Sequence, residues 1–86
     1  MHTVYALEQA TEFAERLGFR IRQEWLGGTG GGACEFNGQK WLFIDLALNV
    51  VEQLEQVVSA IRDDANLGLV HPPAALRRLL DMPPVA

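Results

Sequence analysis

Five of the six residues from 27 to 32 are glycine, in the run Trp25-Leu26-Gly27-Gly28-Thr29-Gly30-Gly31-Gly32-Ala33-Cys34. Glycine loses more backbone freedom on folding than any other residue, about 0.5–1 kcal/mol relative to alanine in a regular element. Something must offset that cost: a wide turn at positive φ, a close approach of backbone to a ligand or another chain, or a hinge.

The flanking segments read by periodicity. Thr3 is placed to cap a helix over residues 4–17, whose apolar positions Leu7, Ala10, Phe13, Ala14 and Leu17 recur every three or four residues, with Gly18 as its left-handed stop. Residues 19–25 alternate, with Phe19, Ile21 and Trp25 on one side and Arg20, Arg22 and Glu24 on the other, the pattern of a half-buried strand. Beyond the glycines, residues 33–36 and 39–46 flank Asn37-Gly38, the dipeptide suited to a two-residue hairpin turn with positive φ at both positions. That turn pairs Phe36 with Gln39, Glu35 with Lys40, Cys34 with Trp41 and Ala33 with Leu42.

Asn49 and Glu52 have capping-box spacing and open a second helix over residues 50–63. Burial of Val51, Leu54, Val58 and Ile61 against the sheet is expected to contribute about 1.5–3 kcal/mol each before entropy. Residues 63–68 read as a loop, Pro72-Pro73 starts a short last helix through Leu76, Leu79 and Leu80, and residues 82–86 read as a flexible tail.

With no repeat or linker, residues 1–86 are expected to form a single small α+β domain in the order α-β-β-β-α-α: a three-stranded antiparallel meander, two long helices packed on one face, and a short C-terminal helix. Parity in the third strand sets Leu42 and Ile44 on one side and Trp41, Phe43 and Asp45 on the other, so both sheet faces carry apolar bulk. Helices on one face then leave Arg20, Arg22 and Glu24 beside an uncovered apolar set, which points to a homo-oligomer, most simply a dimer, or to a protein partner.

Composition narrows the function classes. Seven basic against eleven acidic residues give a net charge of −4, and the basic pairs are limited to Arg20/Arg22 and Arg77-Arg78, so nucleic acid is not expected as a partner. The apolar run at 41–44 is too short to span a bilayer, the first residues lack a secretion-signal pattern, and Cys34 is the single cysteine; together these predict a cytoplasmic protein without disulfides. Two histidines and one cysteine scattered through the chain lack zinc-ligand spacing, and neither a metal nor a cofactor is expected.

Four features invite a chemical reading beside a plainer one. Residues 28–33 satisfy the letters of G-x-G-x-x-A, but a hairpin follows where a dinucleotide site needs a helix N-terminus, and no G-K-[ST] follows for a P-loop. The amides of Gly28, Thr29, Gly30, Gly31 and Gly32 remain available for an anion nest, with Trp25, Asp45 and Arg22 nearby, or the loop is a permissive strand connection. Cys34 beside backbone donors suggests acyl transfer, yet His2 and His71 are poorly placed as its base, and a strand cysteine commonly serves as a small buried hydrophobe; no catalytic residue is assigned. Asp45, interrupting an apolar run, needs partners, which Arg20 or Arg22 can supply as an ion pair, or the strand simply reaches solvent there, unless the residue is a functional acid. Trp25 and Trp41 either clamp a flat ligand or fill the core.

Helix, three antiparallel strands and helix is an order that resembles the double-stranded RNA-binding domain in topology. That family carries a lysine cluster at the start of its second long helix, where this chain has Asn49-Val50-Val51-Glu52-Gln53, so RNA binding does not follow.

Overall fold

A computed structural model describes residues 2–28 and 30–80, which leaves Thr29 and the tail expected at 82–86 outside the described residues. Helix α1 is Thr3–Arg16, followed by strands β1 (Phe19–Glu24), β2 (Gly32–Phe36) and β3 (Gln39–Asp45), helix α2 (Val50–Arg62), a 3₁₀ turn (Leu67–Leu69) and helix α3 (Ala74–Leu80). The class is α+β, in the order expected. Helix α1 starts at Thr3 rather than after it, with His2 at the cap position and no side-chain cap, and Gly18 ends it at φ 104°. Helix α2 opens with a complete capping box: Asn49 Oδ1 accepts from Glu52 N, and Glu52 Oε1 accepts from Asn49 N.

The hairpin forms in the register set by its turn. Asn37 and Gly38 have φ of 52° and 77°, and the pairs Phe36–Gln39, Glu35–Lys40, Cys34–Trp41 and Ala33–Leu42 are all present. The sheet, however, is mixed and not an antiparallel meander. Its order is β1-β3-β2, with β1 parallel to β3, so the glycine-rich connection carries the chain across the end of β3 from one edge to the other. The likeness to the RNA-binding domain therefore stops at the order of elements.

Both long helices pack on the face that carries Phe19, Leu42 and Ile44, which are buried with Phe13, Val57 and Ile61 in one cluster. Helix α2 is rotated relative to the expectation: Val57, Val58, Ala60 and Ile61 are its buried residues, while Val51 is 53% exposed. The rotation follows from α2 packing extensively against α1 as well as against the sheet. Helix α3 closes the far side, with Leu76 buried and the carbonyl of Leu79 accepting from the Arg62 guanidinium. The Lys40 ammonium donates to Leu17 O and Asp64 Oδ1 and lies 4.7 Å from the Phe19 ring centroid, on the helix side.

Candidate functional site

Two neighbouring features hold the residues singled out from the sequence. The first is the glycine-rich connection. Because it must pass over the end of the central strand, it meets Asp45, the last residue of β3. Asp45 is fully buried, and its carboxylate accepts from Leu26 N at 2.9 Å, Gly28 N at 2.6 Å and Ala47 N at 2.9 Å. Gln56 of α2 ties the other half: its Oε1 accepts from Asp45 N, and its Nε2 donates to Gly30 O. Burial pushes the Asp45 carboxyl upward, but hydrogen bonds from the backbone of Ala47, Leu26, Gly28 and Gly30 outweigh it and hold the group below its ordinary value.

The expected ion pair between Asp45 and Arg20 or Arg22 is absent among the described residues, because backbone amides of the crossing loop fill the acceptor positions. Arg22 pairs with Glu24, two residues along its own strand, and the Arg20 guanidinium lies 5.7 Å from the Trp41 ring centroid. The loop amides of Leu26 and Gly28 thus already serve an anion supplied by the chain, and an external anion has to compete with it. Gly28 and Gly31 adopt φ of 86° and 99°. At Gly31 a Cβ would meet Gln56 Nε2 at 2.6 Å and Phe43 O at 2.9 Å, so the loop here requires glycine for both conformation and space.

The second feature is the sheet face opposite the helices. Register places Arg20, Trp41 and Cys34 side by side across the three strands, and Arg22, Phe43 and Gly32 likewise. Trp41 and Phe43 stack with centroids 6.1 Å apart. Arg22, Cys34, Phe36, Trp41 and Phe43 line a shallow groove, so three of the residues expected at a site, Arg22, Cys34 and Gly32, do share one surface.

Trp25 does not join the core side of β1. The strand ends at Glu24, its parity ends there too, and Trp25 is 75% exposed. Cys34 is exposed rather than a buried hydrophobe. Sequence reasoning missed Gln56 as a clamp on the loop and Phe36 as part of the exposed face. Phe36 was legible, since it shares strand parity with Cys34 on the free hairpin arm; Gln56 carried no signal, since a glutamine at a helix surface has no distinctive pattern. Among the described residues no group of three or more His, Cys, Asp or Glu is placed to hold a metal, and no helix is long and apolar enough to cross a membrane. Comparison with family models, curated proteins and solved structures found no match.

Proposed function

We propose that this protein is a small non-catalytic interaction module that works by self-association, with the helix-free sheet face as its contact surface. The observation that carries the reading is the arrangement of Trp41, Phe43 and Phe36 with Arg20 and Arg22 on that face, where Phe36 is 66% exposed. Aromatic and arginine side chains are the types enriched at the energetic centres of protein interfaces. The alternative use of the glycine-rich loop as an anion or metabolite site is less favoured, because Asp45 already takes the amide of Gly28 and that of Leu26 just before the glycines. The single exposed cysteine fits a reducing, cytoplasmic setting.

Sedimentation velocity from low micromolar to millimolar protein tests the reading. Association is expected to rise with concentration and to weaken in Trp41→Ser and Phe43→Ser, with circular dichroism checking that each variant is folded. A strict monomer throughout that range overturns self-association.

A further inference from the structure

Two features of β2 are unmatched within the described chain. Phe36 projects from the end of the strand, and the space a side chain at Gly32 would enter is open, with no atom within 4 Å. Both residues belong to the helix-free face, with Cys34 midway between them. Strand β2 also lies at the edge of the sheet, so among the described residues its outer N–H and C=O groups face no strand, and its sequence Gly-Ala-Cys-Glu-Phe contains none of the lysine or proline that blunts such edges.

We infer that a second copy of this chain pairs on that edge, β2 against β2 in antiparallel fashion about a two-fold axis at Cys34, so that Phe36 of each copy covers Gly32 of the other. The inference rests on the self-association reading above and moves the contact to the β2 rim of that face, where Phe36 and Gly32 lie beside Phe43. Directly opposite residues in an antiparallel pair share a face, so a two-fold axis on a residue keeps the aromatic faces of both copies on one side. An axis at Cys34 opposes Gly32 with Phe36, Ala33 with Glu35, and Cys34 with its own equivalent, matching the whole strand.

An axis at Glu35 instead opposes two carboxylates, which is destabilising, and an axis at Ala33 leaves Phe36 beyond the overlap. The other edge is a worse self-partner: an axis at Ile21 of β1 opposes Arg20 with Arg22, and an axis at Arg22 opposes arginine with arginine. Gly32 is paired with Phe43, so the incoming Phe36 ring reaches Phe43 across the gap that the glycine leaves. An aromatic side chain laid over a cross-strand glycine is a known means of fixing register. The helix-free surface then runs unbroken through both copies.

Reciprocal charges at the axis test this pairing. Cys34→Asp and Cys34→Lys alter an exposed position, and circular dichroism verifies that both fold as the parent does. Each variant alone sets like charges against each other and is expected to associate roughly five- to ten-fold more weakly than the parent, whereas an equimolar mixture recovers parent-like association. If the parent associates while both variants match it and the mixture adds nothing, edge pairing is overturned. Sensitivity to Trp41→Ser would in that case keep the sheet face as the contact surface by another route. A parent that stays monomeric overturns both readings.

Discussion

Replacing Gly31 by alanine probes the crossing loop at its tightest point. The φ of 99° lies where a side chain is strained, at about 1–2 kcal/mol. The new Cβ also meets Phe43 O at 2.9 Å and Gln56 Nε2 at 2.6 Å. The carbonyl belongs to a central strand and has little room to move. The Gln56 amide can move only by giving up its bond to Gly30 O, a net loss of about 1 kcal/mol. Gly31→Ala is therefore expected to cost about 3 kcal/mol, a large share of the 5–15 kcal/mol typical of a domain. Gly32→Ala is the internal control: its φ is 102°, but nothing lies within 4 Å of the new Cβ, so only the backbone cost of about 1–2 kcal/mol remains. Urea unfolding of dilute protein, where association does not contribute, reads the difference as a midpoint shift of roughly 0.5–1 M between the two variants. Equal midpoints for the two variants, or a Gly31→Ala midpoint equal to that of the parent, would refute the argument that the loop is held against β3 and α2.

The depressed Asp45 carboxyl adds stability that is fully present above its ordinary value of 3.8 and is lost as pH falls through the lower folded value, so acid unfolding of the parent should steepen below that range. In Asp45→Asn the acid-side slope is expected to be shallower, as urea midpoints measured across pH will show. Lys40→Met leaves the largely buried Asp64 without its cation and should cost about 2–3 kcal/mol, while Arg22→Ala removes an exposed pair and should cost under about 0.5 kcal/mol; thermal melts of both variants check the contrast. Leu76→Ala empties a buried position under α3 and is expected to lower stability by about 2–4 kcal/mol, and a smaller loss in denaturant titration would show α3 to be only loosely docked.

What the sequence discloses about this fold follows the range of each interaction. Asn37-Gly38 dictates its turn through local φ values, so the hairpin and every one of its expected pairs were legible. The helices were legible through apolar spacing, and the capping box through Asn49 and Glu52. The place of β1 was not, because nothing within Phe19–Glu24 says whether it will lie beside β2 or beside β3. The rotation of α2 likewise depends on α1, which is why Val51 was expected inside and lies outside. At the candidate site the glycine run announced an unusual connection, but its anchor was hidden: only the crossing over β3 turns Asp45 from a partner of arginines into an acceptor of loop amides. The mixed apolar and cationic character of the sheet's second face, by contrast, followed from strand parity alone.

The sheet's order also bears on how the chain comes together as it is made. The middle ribbon, residues 39–45, is the last of the three to leave the ribosome, and both neighbours need it. Until then residues 19–24 and 32–36 emerge with no mate in this sheet, tethered by a supple glycine bridge that lets them stand apart and admit the late arrival between them. A nascent chain halted before Gln39 would hold two orphan edges and no layer for the first helix to rest upon.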